Sequence, residues 1–185
     1  MNELSKPENN LEHEKEIKVE RMLLDEHTLD QMVEVEVACF SKEMAEDKEE
    51  LRKILENQKG IHLKLEDGDN MLGYITSLPH NEEFDFLKQY DSELRNDEDA
   101  VYLHSIDIIP EGRNLKNFNA LFGAFRNEAM RSGYSKITMY ARTENRFSDI
   151  LQKRYGANFF RRIKDWRDLG EDMDYLEIDL SEKEK

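Results

Sequence analysis

Residues Val101-Tyr102-Leu103-His104-Ser105-Ile106-Asp107-Ile108-Ile109 run directly into Pro110-Glu111-Gly112-Arg113, and Phe118, Leu121, Phe122, Phe125, Ala129 and Met130 follow at helical spacing. The first run is rich in β-branched and bulky residues, as a largely buried strand requires, and Pro110 with Gly112 ends it. The second presents one apolar face, leaves Arg126, Glu128 and Arg131 on the other, and is closed by Gly133. The stretch therefore reads strand, turn, helix. A strand that ends at a helix N-terminus gathers unpaired backbone N–H groups at one point, and such a point binds anions whatever the side chains are.

Working outward, Ile17 to Leu24 reads as a first strand, and Asp25 and Thr28 as helix starters ahead of an apolar stripe through Leu29, Met32, Val33, Val37 and Phe40. A second helix, about Met44 to Asn57, turns Leu51, Ile54 and Leu55 inward and ends near Gly60. Ile61 to Glu66 alternates apolar with polar, Asp67-Gly68-Asp69-Asn70 is a turn, and Met71 to Leu78 is the partner strand of a hairpin that Pro79 stops. Residues 79–99 form an acidic insertion with a short helix carrying Phe84, Phe86, Leu87, Tyr90 and Leu94. Its carboxylates either edge an acceptor site or simply face solvent. Downstream, Lys136 to Arg142 is a strand. Thr143-Glu144-Asn145 starts a helix lined by Phe147, Ile150, Leu151 and Tyr155 and closed by Gly156. Asn158 to Lys164 and Asp174 to Leu180 alternate as an antiparallel pair.

A chain of 185 residues is expected to form one domain, here 17–181, after a polar tail, 1–16, too poor in apolar residues to order itself. The formal net charge of −15 argues against nucleic acid as a partner and suits an acceptor that is itself basic. Cys39 is the single cysteine, so neither an internal disulfide nor a cysteine metal cluster is expected. With no signal-peptide core and no apolar run long enough for a bilayer, a cytoplasmic protein without a membrane partner is expected. His62 and His80 read as surface residues. Arg161, Arg162, Lys164, Trp166 and Arg167 form a basic, aromatic-bearing patch that reads either as a stacking surface for nucleobases or as one in which Trp166 shields the sheet end and the arginines pair with acidic residues.

The order Ile106 to Arg113 resembles the segment that opens the acetyl-CoA loop of the GCN5-related N-acetyltransferases, the GNAT superfamily, where Arg/Gln-x-x-Gly-x-Gly/Ala follows. Arg113 fits the first position, while Lys116 and Phe118 stand where glycines are usual. Glu144-Asn145 with Ser148, Leu151 and Gly156 resembles the family's Glu-Asn-x-x-Ala-x-x-Leu-Tyr-x-x-x-Gly-Phe segment, and residues 171–178 resemble its closing strand. The resemblance extends over about Ile17 to Leu180. It implies an α+β fold, a mixed, mostly antiparallel twisted sheet with helices on both faces. It also implies acetyl-CoA as co-substrate, no metal, and transfer of acetyl to a primary amine, small molecule or peptide, by direct attack. A monomer and a homodimer fit equally.

Residue by residue, the resemblance assigns the backbone of Ile108 and Ile109 to the thioester. It assigns Arg113, Asn114, Leu115, Lys116, Asn117, Phe118 and Asn119 to the pyrophosphate, and Asn145 to the pantetheine. The Tyr that many members place after the conserved Leu is Gln152 here, which leaves Tyr155, one helical turn on, as candidate acid; packing is its competing reading. His104 is the candidate base because an imidazole titrates near neutrality, against the reading of a buried histidine bonded to backbone. Tyr140 occupies the strand position where some relatives carry a basic Glu. The substituted glycines and tyrosine keep open an alternative, a catalytically degenerate binding or regulatory module.

Overall fold

A computed structural model describes residues 17–42, 44–144 and 146–181; the expected tail, 1–16, and Asn145 lie outside the described residues. Strands β1 (Ile17–Arg21), β2 (Leu63–Asp67), β3 (Asn70–Pro79), β4 (Ala100–Ile108), β5 (Lys136–Arg142), β6 (Asn158–Ile163) and β7 (Met173–Asp179) form one sheet in the order β1-β2-β3-β4-β5-β7-β6. Every neighbouring pair is antiparallel except β4 with β5. Helices α1 (Glu26–Cys39) and α2 (Lys48–Glu56) cover one face, with Leu29, Met32, Leu51 and Tyr74 at the contact. On the other face α4 (Leu115–Arg131) and α5 (Phe147–Tyr155) bury Leu121, Phe122, Phe125 and Leu151 against Leu65, Ile75, Leu103 and Leu176. The architecture is α+β.

Local signals explain the helix starts. Asp25 accepts the Thr28 N–H at 2.8 Å, and Asp47 with Glu50 forms a reciprocal capping box at α2. Between β3 and β4, α3 (His80–Leu87) and the turns after it pack Leu87 and Leu94 against Tyr102, Trp166 and Tyr175. Most insertion carboxylates that bond do so structurally: Glu82 with Lys59 at 2.7 Å, Asp97 with Lys136 at 2.7 Å, Asp91 with Arg161. Arg162 pairs with Asp174 and Lys164 with Asp172, while Trp166 is buried, as the paired-patch reading expects; Arg167 departs from it, lying over the Phe86 ring with no carboxylate partner among the described residues.

Four expectations are corrected. Val37 is 71% exposed, and the inward face of α1 is instead Leu29, Met32, Val35 and Glu36. Glu36 can be buried because its carboxylate accepts from the Tyr74 hydroxyl and from the Glu46 N–H. Met130 is exposed, since the core side of α4 follows Leu121, Phe125 and Ala129 and passes it by. His62 and His80 are buried, not superficial. His80 is bonded at both ring nitrogens, to the Thr138 hydroxyl (2.8 Å) and the Arg95 carbonyl (3.0 Å), and His62 Nε2 meets the Asn57 carbonyl at 3.1 Å. Burial holds both imidazoles below their ordinary pKa. No helix among the described residues is long and apolar enough to cross a membrane.

Candidate active site

Strands β4 and β5 pair at only three registers, Ala100 with Lys136, Val101 with Ile137 and Tyr102 with Thr138, and then part. The cause lies in β4. Leu103 pairs with Ser77 and Ser105 with Thr76, so His104 is an extra residue, a bulge that bends the strand. Past the bulge β4 stays with β3: a Cβ on Gly73 would lie 2.3 Å from the Asp107 carbonyl oxygen, so only glycine permits the approach. The divergence opens a cleft of about 760 Å³ between β4 and β5. Small-ligand sites span roughly 300–1,000 Å³.

The start of α4 forms one end of this cleft. Asn114 caps it, accepting the Asn117 N–H at 2.9 Å, while the Asn117 side chain donates to the Gly112 carbonyl at 2.9 Å. The amides of Leu115 and Lys116 precede the first intrahelical donor, the Phe118 N–H, and sit at the positive end of the helix dipole. Phe118 lines the cleft and stacks on Phe122 at 5.4 Å, whereas Lys116 is exposed outside the lining. Arg113 donates Nε to the Ile108 carbonyl at 2.8 Å, and the Ile109 N–H donates to the Leu72 carbonyl at 2.9 Å. Tyr155 packs edge-on against Phe118 and Phe122 and donates its hydroxyl to Asn119; neither Tyr155 nor Asn119 is among the lining residues. Gln152 donates to Ser148 at 3.0 Å.

The opposite end is polar. His104 Nε2 lies 2.8 Å from Glu46 Oε1, and the Glu46 N–H donates to Glu36 at 2.8 Å. Burial opposes the imidazolium, but the Glu46 carboxylate, with Glu83 and Asp107 nearby, outweighs it and leaves the His104 pKa above its ordinary value. Asp107, to which Ser105 donates, is pushed up to about 7 by burial, with the Glu36 and Glu46 carboxylates adding to the rise. Burial raises Glu36 as well. Tyr140 lines the cleft and donates to Asp91 at 2.8 Å, which with burial keeps its hydroxyl protonated.

Thus the structure brings His104, Tyr140, Ile108 and the entry to α4 to one cleft. Ile109, Asn117, Asn119 and Tyr155 are not among its lining, and Asn145 lies outside the described residues. Glu46, Glu36 and Asp107 are additional titratable groups there. Asp107, a carboxylate inside an apolar strand, and Glu36, at inward spacing from Leu29 and Met32, were discernible by pattern. Glu46, in the connection between α1 and α2, carries no such signal.

No protein-family model matches the sequence, and no curated protein is similar to it in sequence. Solved structures are similar in shape. The ribosomal-protein-S18-alanine N-acetyltransferase from Escherichia coli superposes with a TM-score of 0.70 at 12% identity, over 92% of this chain and 97% of that one. For yncA from Salmonella typhimurium with its cofactor acetyl-CoA the values are 0.66 and 14%, over 92% and 97%. For PaiA N-acetyltransferase from Thermoplasma acidophilum in complex with coenzyme A they are 0.63 and 14%, over 89% and 99%. With its splayed β4 and β5 and its helices on both faces of the sheet, this chain has the GNAT fold.

Proposed function

We propose that the chain is an acyltransferase that moves the acetyl group of acetyl-CoA to a primary amine by direct attack. The observation that carries this reading is the parting of β4 from β5 between a helix N-terminus on one side and the His104–Glu46 pair on the other. The amides of Leu115 and Lys116 suit the diphosphate, and the cleft suits the pantetheine arm. His104, held by Glu46, accepts the proton of the incoming ammonium. The free amine then attacks the thioester carbonyl, the C–S bond breaks and the thiolate leaves. An ordinary thiol pKa of about 8.5 makes that thiolate a competent leaving group near neutrality, so no dedicated acid is required. Calorimetry with acetyl-CoA and thiol release across an amine panel test the reading. Binding heat with turnover upholds it, and no heat at millimolar acetyl-CoA overturns it.

A second reading, a binding module without turnover, draws on Phe118 in the cleft wall and Lys116 in place of glycine. Acetyl-CoA binding without thiol release for any amine would favour it.

A further inference from the structure

Beyond His104 the cleft changes character, and its wall there is made of rings: Tyr102, Tyr140, Trp166 and Phe86. Tyr140 lies 4.3 Å from Trp166 and 6.3 Å from Tyr102 between centroids. These rings are fixed from behind. The Tyr140 hydroxyl is held by Asp91, which Arg161 also binds through two nitrogens, and the Trp166 ring is buried, its backbone N–H donating to the Glu171 backbone carbonyl at 2.6 Å.

The loop that delivers Trp166 is strained. Asp165, Arg167 and Asp168 have φ of 49°, 56° and 59°, in the left-handed region that non-glycine residues avoid. Such backbone persists where the surroundings over-determine it, here through the buried Trp166 ring and the Gly170 N–H on the Asp165 carboxylate at 2.7 Å. That loop also sets the Arg167 guanidinium over the Phe86 ring, 5.5 Å from its centroid, at the mouth of the cleft. Acidic residues outnumber Lys and Arg by 42 to 27, yet Arg167 has no carboxylate partner among the described residues. Arg142, the neighbouring cation in the cleft, is ion-paired with Glu171 at 3.0 Å, and Arg161 and Arg162 are paired with Asp91 and Asp174. Arg167 is therefore a planar cation at the mouth, able to bind a carboxylate through two N–H groups.

Resting on the transfer reading above, we propose that the acceptor is a small primary amine carrying both an aromatic ring and a carboxylate, the chemistry of an aromatic amino acid. The net negative charge of the whole chain favours cations in bulk solution, but at this mouth the local chemistry is rings and an uncompensated arginine. Rings accept the acceptor's apolar body, Arg167 its carboxylate, and the His104–Glu46 pair its ammonium.

The test is calorimetric binding of phenylalanine, phenethylamine, alanine and spermidine to the full chain saturated with coenzyme A. Phenylalanine is expected to bind most tightly. Loss of a charge-assisted bond in Arg167→Ala should weaken phenylalanine about tenfold and leave phenethylamine unchanged. Phe86→Ala, at a ring that is 40% exposed, should weaken both. A preference for spermidine, no preference for phenylalanine over alanine, or an equal effect of Arg167→Ala on phenylalanine and phenethylamine overturns the inference while leaving acetyl transfer standing. Failure of coenzyme A and acetyl-CoA themselves to bind overturns the transfer reading and the inference with it.

Discussion

His104 Nε2 stands 2.8 Å from Oε1 of Glu46, 58 positions earlier in the chain, and this contact ties the α1–α2 connection to the bulge in β4. Glu46→Gln removes the carboxylate that sustains the imidazolium, so the His104 pKa falls. Because the neutral imidazole is the acting base, the acid limb of kcat/KM against pH moves to lower pH while the plateau drops. His104→Ala should lower kcat by on the order of 10²-fold, the usual worth of a positioned base, with acetyl-CoA affinity unchanged. The stability linkage has the same origin. A folded pKa above the ordinary 6.5 gives stabilisation that is complete below that value and lost as pH rises through the raised one. Glu46→Gln should therefore cost more stability just below pH 6.5 than in alkali, as urea titrations on either side of the raised pKa would show.

Asp107 titrates the other way from a paired surface carboxylate. Its folded pKa of about 7 lies above the ordinary 3.8, so the folded state binds the proton more tightly and loses stability as pH climbs from about 4 to 7. At one pKa unit per 1.36 kcal/mol the loss is on the order of 4 kcal/mol. Asp107→Asn, which keeps the shape and cannot ionise, should raise Tm at alkaline pH and flatten the dependence of Tm on pH. An unchanged slope would show that Asp107 is not the group responsible.

Much of the fold was readable because its signals are local. The apolar run from Val101, the turn at Pro110 and the spacing from Leu121 to Ala129 each specify their own element, and the hairpin follows from Gly68, whose φ of 62° the turn requires. The site was less readable because its parts meet through space. Nothing near Glu46 announces His104, and the bulge that makes His104 face the cleft depends on the register with Thr76 and Ser77. Val37 misled because hydropathy alone chose it over Glu36, whose burial depends on Tyr74 from another strand. His62 and His80 misled for a like reason, since the carbonyls of Asn57 and Arg95 that satisfy them cannot be located from periodicity.

Asp91 shows how the insertion supports the cleft from outside it. It is 2% exposed and accepts from Arg161 Nε at 2.8 Å and from the Tyr140 hydroxyl at 2.8 Å. Asp91→Ala leaves a half-buried guanidinium and a hydroxyl without their partner, a loss of about 3–5 kcal/mol. For a chain of this size that corresponds to a fall in Tm on the order of 10 °C, readable by calorimetry. Asp91→Asn, which still accepts from Tyr140, should lose less.

Lys116 separates the two functional readings. It occupies a glycine position of the family pattern, yet it is exposed at the start of α4 and lies outside the cleft lining. If its ammonium assists a phosphate, Lys116→Ala should weaken acetyl-CoA by about three- to fivefold at low salt, the worth of an exposed charge near a helix N-terminus. That difference should vanish at high ionic strength, where the charge is screened. Lys116→Gly should lose the same affinity and, in addition, about 1 kcal/mol of stability through helix propensity. Should Lys116→Gly instead bind acetyl-CoA more tightly than the parent, the side chain is an obstruction to the diphosphate, and the module without turnover becomes the better account of this cleft.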